Sequence, residues 1–155
     1  MKIKIMMCAL VVVFASAMVC SAQMSAHMGT WKLNEAKSHF GKGATKNHTV
    51  VYEAAGDQIK VTVDGMDGAG ATVHSEWTGK FDGEYYAVTG SPTADLRAYW
   101  NVHSHTLRFR EKKGGRIVLT GTITVSRNGK TRTVWTTGKN AQGKVITNTA
   151  VYDKQ

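Results

Sequence analysis

The sequence contains little cysteine, a single proline and no long helical pattern. Its two cysteines, Cys8 and Cys20, both lie near the amino terminus, so the rest of the chain has no disulfide and no cysteine nucleophile. Their position also excludes thiolate metal sites from the rest of the chain. The proline, Pro92, lies in a loop between two strand-like segments, where it removes no hydrogen bond from a sheet. A packed core alone is therefore expected to hold the fold.

The first 22 residues have the composition of a secretory signal peptide. Lys2 and Lys4 precede an uncharged apolar run over 5–19, and small residues follow up to Ala22. This order predicts cleavage after Ala22, with cleavage after Ala17 or a lipoprotein processed at Cys20 as alternatives. The apolar run is shorter than a transmembrane helix needs, and no second run follows, so no transmembrane segment is expected. The predicted localisation is secreted or periplasmic.

Removal of residues 1–22 from the 155-residue chain leaves 133 residues and changes the formal net charge from +9 to +7. Residues 23–155 are predicted to form a single domain, large enough to bury a core. The basic side chains are scattered singly, with clusters only at 108–113 and 127–132. This pattern favours a solvated surface, with weak contact to an anionic surface as the alternative and no specific nucleic-acid site.

Short β-type segments, separated by glycine-containing turns, follow one another from Thr45 onward. The dipeptides Asp82-Gly83, Gly114-Gly115 and Asn128-Gly129 predict tight hairpins. Asn34 followed by Glu35–Gly41 predicts one or two helical turns. Strands are predicted at 29–33 and at about 48–54, 58–64, 72–81, 85–89, 95–102, 106–112, 116–126, 130–138 and 145–153.

Several of these segments alternate between apolar and polar residues, as strands with one buried face do. In the sixth, the apolar set Leu96, Ala98 and Trp100 is predicted to face the core, opposite Arg97 and Tyr99. A meander of this many strands must close or stack to protect its edges. The prediction is an all-β fold, a single up-and-down antiparallel β-barrel of eight to ten strands with one short N-terminal helical turn.

The segment Gly29-Thr30-Trp31-Lys32-Leu33 resembles the Gly-x-Trp start of lipocalins and fatty-acid-binding proteins, the calycin group. The ending, Asn148–Lys154, resembles the closing strand of the fatty-acid binders. Nearly all of the mature chain also resembles small exported bacterial proteins described only as lipocalin-like, including the stretches Phe81–Gly83 and Val88–Asp95. The resemblance to these exported bacterial proteins implies no particular activity.

The resemblance implies that Trp31 plugs the closed end of a barrel, beneath a basic side chain for which Arg132 and Lys144 are the candidates. The fatty-acid binders carry an arginine two residues before the tyrosine of the last strand, where it grips a carboxylate. Here that position is Ala150 and only Tyr152 carries over, so the resemblance does not support fatty-acid binding by that route. The first connection is also too short for their helical lid.

Metal-binding patterns are weak. His103 and His105 have the spacing of two ligands on one side of a strand, but they lie at an expected hairpin tip without a third ligand nearby. The segment 64–70 resembles a calcium loop that lacks its third acidic position and its terminal glutamate. No metal and no cofactor is predicted.

No catalytic residue is predicted either. The chain has no Gly-x-Ser-x-Gly motif, and its acidic residues Glu76, Glu84 and Glu111 are expected to face outward. A hydrolase therefore remains only the least favoured of three hypotheses.

The leading hypothesis for function depends on the aromatic residues. In a small barrel such residues either fill the interior or line a pocket for an apolar ligand. Threonine and asparagine on both faces of the last two strands favour a pocket, since a polar inward row needs water or a ligand. The predicted function is non-catalytic binding of a small apolar or amphipathic ligand. The second hypothesis is a solid-core barrel that acts through its basic surface as an interaction or inhibitor module. The predicted ligand-binding residues are Trp77, Phe81, Tyr86, Leu96, Trp100, Phe109, Trp135 and Tyr152.

Overall fold

A computed structural model describes residues 26–139 and 143–155, and the predicted signal peptide, residues 1–22, lies outside this part of the chain. The described residues form ten strands. These are β1 (Gly29–Leu33), β2 (Lys46–Ala55), β3 (Gln58–Met66), β4 (Thr72–Gly79), β5 (Tyr86–Thr89), β6 (Leu96–His103), β7 (Thr106–Lys113), β8 (Arg116–Val125), β9 (Thr131–Lys139) and β10 (Val145–Lys154).

The strands form a closed barrel in which each strand pairs antiparallel with the next in the chain. Pairing of β1 with β10, in the register Trp31 with Lys154 and Leu33 with Tyr152, completes the cylinder. The prediction of an all-β up-and-down antiparallel barrel is confirmed, with ten strands. Among the ten described strands, closure leaves no unpaired edge.

Two of the three predicted hairpins are present, and one of them has the predicted two-residue turn. Gly114 and Gly115 join β7 to β8 directly, with φ angles of +55° and +76°, which is the conformation expected of a two-residue hairpin. The hairpin at Asn128-Gly129 is also present, but its turn is longer than two residues: β8 and β9 pair antiparallel on either side of 126–130, and the backbone N–H of Gly129 donates to the carbonyl of Ser126. The tight hairpin at Asp82-Gly83 is wrong, because residues 80–85 join β4 to β5. The side chain of Asp82 accepts a hydrogen bond from the backbone N–H of Glu84, and this local bond stabilises a wider turn.

One short 3-10 turn, Glu35–Lys37, follows β1 where a helical turn was predicted. The side chain of Asn34 caps it by accepting a hydrogen bond from the backbone N–H of Lys37 at 3.2 Å. The chain then runs beside β10, where His39 forms an isolated bridge with Thr149. This connection therefore lies along one rim of the barrel. Within the described ranges, no helix has the length and apolar character needed to cross a membrane.

The two ends of the barrel differ in packing. Because the strands alternate in direction, the turns at 80–85, 104–105 and 126–130 lie at the same end as the start of β1. At this closed end, large apolar side chains fill the interior, and Trp31, Trp77 and Leu107 are at most 1% exposed. The opposite end, where the connections 34–45, 67–71 and 90–95 lie, opens into a cavity.

Candidate functional site: the barrel cavity

The cavity occupies the open half of the barrel and has a volume of about 680 Å³. This volume lies within the range of pockets that bind small organic molecules. Inward-facing residues of most strands form its wall. Apolar members of the wall include Val50, Val63, Val73, Ile123, Val134 and Ala150.

The mouth of the cavity is shaped by Phe40 and by two loops that contact each other through their backbones. A Cβ atom placed on Gly68 would lie 2.0 Å from the carbonyl oxygen of Gly43. The approach of these loops therefore requires glycine at position 68. Nearby, Asp67 accepts hydrogen bonds from the backbone N–H groups of Ala69 and Ala71, both at 2.9 Å. Its carboxylate thus caps its own turn.

Two of the eight predicted ligand-binding residues, Phe109 and Tyr152, line the cavity. Three others, Trp77, Phe81 and Tyr86, pack together at the closed end. The ring of Trp77 is 6.3 Å from that of Phe81 and 5.8 Å from that of Tyr86. Trp77 is buried in the barrel, Phe81 and Tyr86 are half-buried against it, and none of the three forms part of the cavity wall.

The remaining three residues, Leu96, Trp100 and Trp135, were predicted to face inward, and this prediction is wrong. On β6 the inward residues are Arg97 and Tyr99, which line the cavity, so Leu96 and Trp100 lie on the outer face. Trp100 is half-buried there beneath the guanidinium of Arg110, whose Cζ lies 5.3 Å from the ring centre.

Trp135 on β9 is 46% exposed on the outer surface. The inward residues of that strand include Val134 and Thr136. The physical reason for both errors is the same. The apolar residues of a strand identify its inner face only where the interior is apolar, and this interior is partly polar.

Trp31 is fully buried at the closed end, and its indole N–H donates a hydrogen bond of 2.9 Å to the backbone carbonyl of His27. The basic side chain over its ring is that of Lys154, with Nζ 5.1 Å from the ring centre. Sequence reasoning considered Arg132 and Lys144 for this place and missed Lys154. The register of β1 and β10, which pairs Trp31 with Lys154, explains the contact.

An ion pair crosses the cavity wall between β6 and β7. The guanidinium of Arg97 donates from Nε to the carboxylate of Glu111 at 2.8 Å, and both side chains are more than 90% buried. Burial lowers the pKa of Arg97, but the charge and hydrogen bond of Glu111, together with the nearby Tyr99 and Tyr52, outweigh burial and raise the pKa above its usual value. The expectation that Glu111 faces outward is wrong, because the register places it directly across from Arg97.

A second buried arginine, Arg132, lies 4% exposed on the cavity wall. Its Nη2 donates a hydrogen bond of 2.9 Å to the hydroxyl of Tyr52. Burial raises the pKa of Tyr52, and the nearby Arg132 charge opposes the shift. Burial likewise raises the pKa of Tyr152 to about 12. Both tyrosines therefore stay protonated over the physiological pH range.

Each buried arginine donates to a tyrosine hydroxyl, Arg132 to that of Tyr52 and Arg97, from Nη1, to that of Tyr99 at 3.2 Å. Further toward the mouth, the amide of Asn148 donates to the hydroxyl of Thr136 at 3.3 Å. The predicted polar inward row on the last two strands is thus present. Sequence reasoning located the row but did not identify Arg132 on β9 as its charged member, nor Arg97 on β6 as a second charged residue of the cavity wall.

The other residues considered for metal binding or catalysis do not form part of the cavity wall. His103 ends β6 and is exposed, and His105 follows in the turn. Throughout 26–139 and 143–155, no three His, Cys, Asp or Glu residues come together as a metal site. On the outer face, Glu76 pairs with Lys60 at 2.6 Å. His103, Glu76 and Lys60 belong to the surface, whereas His105 is half-buried.

No family model matches the chain, and no curated protein matches it. Among solved structures, it is similar to a redesigned β-barrel, mFAP1, bound to DFHBI, with 13% identity and a TM-score of 0.47 over 84% of this chain and 96% of that chain. It is also similar to EF1p2_mFAP2b bound to DFHBI, with 11% identity and a TM-score of 0.48 over 87% of this chain and 98% of that chain. These comparisons assign the chain to no family.

Proposed function

We propose that the protein is a non-catalytic binding protein that holds a small, largely apolar ligand inside the barrel. The single observation that carries this proposal is the cavity of about 680 Å³, open at one end and closed by packed aromatics at the other. A barrel that served only as a rigid scaffold would gain stability by filling this space with side chains.

The driving force for binding is the removal of apolar surface from water. Val50, Val63, Val73 and Ile123 on the wall offer apolar contacts, each worth about 25 cal/mol per Å² buried. Polar groups at defined positions fix the orientation of a ligand, and the Tyr52 and Tyr99 hydroxyls belong to such a network.

Export belongs to the same proposal. Residues 1–22, with their basic start and apolar run, support secretion or a periplasmic location. A mature protein that begins at Gln23 is the expected product, and intact-mass measurement of protein purified from its native compartment checks the cleavage site. A molecule retained from that compartment appears as added mass under native conditions.

Uptake of a neutral apolar dye such as Nile red tests the binding proposal. Ala150, 7% exposed, lies on the cavity wall, so Ala150→Phe fills part of the space. We expect the wild type to bind the dye and Ala150→Phe to bind it at least about tenfold more weakly. Trp100→Ala, on the outer face, is the matched control and leaves uptake unchanged. Absence of uptake by the wild type contradicts the proposal.

A further inference from the structure

Trp135 lies on the outer face of the barrel, in the middle strand of the group β8, β9 and β10, and is 46% exposed. Its register partners on the two neighbouring strands are Thr122 and Thr149. The next outward residues along β9, on either side of the ring, are Thr133 and Thr137. Threonine therefore occupies the four nearest outward positions around this indole.

The hydroxyls of these four threonines are available to a partner. In the described ranges, the one outward hydroxyl of this neighbourhood that bonds to protein is that of Thr120, 3.5 Å from the carbonyl oxygen of Thr137. A threonine hydroxyl both donates and accepts hydrogen bonds. A sugar has the complementary arrangement, because its ring face carries C–H groups that pack on an aromatic ring and its edge carries hydroxyl groups.

The surface next to this aromatic platform is positively charged. Arg108 on β7 pairs in register with Thr122, so it lies two strands from Trp135, a distance of about 10 Å. Arg110 follows on the same outer face; both arginines are exposed, and no carboxylate of the described residues forms an ion pair with either. The single acidic residue within β7, β8 and β9 is Glu111, which faces the cavity. This face therefore attracts acidic polymers.

The spacing of the aromatic residues favours a polysaccharide over a nucleic acid or a membrane. Single-stranded nucleic acids stack successive bases on several aromatic side chains. Here the second tryptophan of the face, Trp100, lies three strands from Trp135, about 14 Å away, beneath the guanidinium of Arg110. A membrane surface binds a broad apolar stripe, whereas the nearest neighbours of Trp135 are threonines.

We propose that the outer face of β7, β8, β9 and β10 binds an acidic polysaccharide. One sugar ring packs on Trp135 and hydrogen bonds to the surrounding threonines. Acid groups further along the same polymer pair with Arg108 and Arg110. This site lies outside the barrel and does not depend on a ligand in the cavity.

Polygalacturonate, an acidic sugar polymer, tests the proposal beside dextran, which has sugar rings without charge, and polyglutamate, which has carboxylates without sugar rings. We expect the wild type to bind polygalacturonate at least about tenfold more tightly than either. Trp135→Ala should weaken this binding at least about tenfold, as loss of a central aromatic anchor does, and should leave uptake of Nile red unchanged. The matched control, Met66→Ala, alters another exposed apolar residue, on β3, and leaves the affinity for polygalacturonate unaltered.

A pair of double variants with the same change in net charge tests the basic part of the face. Arg108→Gln/Arg110→Gln should weaken binding of polygalacturonate about tenfold and reduce its dependence on salt concentration. Lys60→Gln/Lys80→Gln removes two cations near β3 and β4, on the opposite side of the barrel, and should leave the affinity within about threefold.

Polygalacturonate bound no more tightly than polyglutamate, or bound equally by the wild type and Trp135→Ala, overturns the proposal. Tighter binding of oligothymidylate than of polygalacturonate also overturns it, because the face would then be a nucleic-acid site. Should Trp135→Ala not fold, Thr122→Val/Thr149→Val takes its place, since it removes two hydroxyls at almost constant volume and should weaken binding about fivefold. An unchanged affinity in that variant likewise contradicts the proposal.

Discussion

Arg97 and Glu111 form an ion pair inside the barrel, with Nε and Oε1 2.8 Å apart and both side chains turned away from the solvent. Each strand contributes one partner at the same register position. The pair thereby fixes which face of β6 and β7 points inward. Because both side chains are buried, either ion alone would be poorly solvated, and its charge would destabilise the folded state.

Removal of one member of this pair is expected to destabilise the protein. Glu111→Gln leaves the Arg97 charge buried without compensation and should lower the free energy of unfolding by about 3–5 kcal/mol. The double variant Arg97→Met/Glu111→Leu removes both charges and should recover most of this loss. Urea denaturation of the wild type, the single variant and the double variant measures the effect. A double variant no more stable than Glu111→Gln contradicts the argument.

Stability is expected to fall in acid because of His27. Burial lowers the pKa of His27 to about 4, and the charges of Arg132, His105 and Lys154 add to the shift. The unfolded chain, with a pKa near 6.5, then binds more protons than the folded one between these values. Stability is therefore retained above about pH 6.5 and lost as the pH falls toward 4, by an amount on the order of 3 kcal/mol.

Substitution separates His27 from the other histidines. His27→Gln keeps a neutral side chain and should flatten the pH dependence of the unfolding free energy between pH 6.5 and 4. His103→Gln, at an exposed position, should leave the slope as in the wild type. Equal slopes in the wild type and in His27→Gln would show that His27 is not the group responsible.

Tryptophan fluorescence checks the assignment of strand faces. Trp135 is 46% exposed, whereas Trp31 and Trp77 are at most 1% exposed. Trp135→Phe should remove most of the emission that iodide quenches, while Trp77→Phe should leave the quenchable fraction almost unchanged. Strong quenching that survives in Trp135→Phe would contradict the outward placement of that side chain.

Gly121 on β8 lies beneath the ring of Phe109. A Cβ atom at this position would be 2.3 Å from the ring and 2.9 Å from the carbonyl oxygen of Trp135. Gly121→Ala should therefore cost about 1–3 kcal/mol of stability through overpacking. Thr124→Ala, exposed on the same strand, is the control, and its change should stay within about 0.5 kcal/mol. Thermal and urea unfolding provide the comparison.

The fold was predictable from the sequence because most strands have apolar inner faces and glycine-containing turns. On β8, Ile123 and Val125 alternate with threonines and are buried as the pattern predicts. On β6 the same reasoning selected Leu96 and Trp100, whereas Arg97 and Tyr99 face inward. Pairing of Arg97 with Glu111 depends on register between strands, which the periodicity of one strand does not contain.

The cavity itself was less predictable than the barrel. Phe109 was identified because it is an aromatic residue on an apolar strand face, and Tyr152 because it carried over by resemblance of the last strand; both line the cavity. Arg132 was considered only by resemblance, as one of two candidate partners for Trp31 beside Lys144, and its contact with Tyr52 joins residues that are distant in the sequence. The one signal in the sequence that could have pointed to Arg132 was its position as a lone basic residue within a threonine-rich strand. It indicates a buried site only after the strand has been placed in the sheet.

Pairing of β1 with β10 has a consequence for how the chain acquires its structure. These strands come from opposite ends of the described chain, so the seam between them forms only after nearly all of the polypeptide is available. Contacts between residues so far apart in sequence slow folding. A newly made chain should thus stay open until its last strand arrives, and the cavity should exist only once that strand has sealed the cylinder.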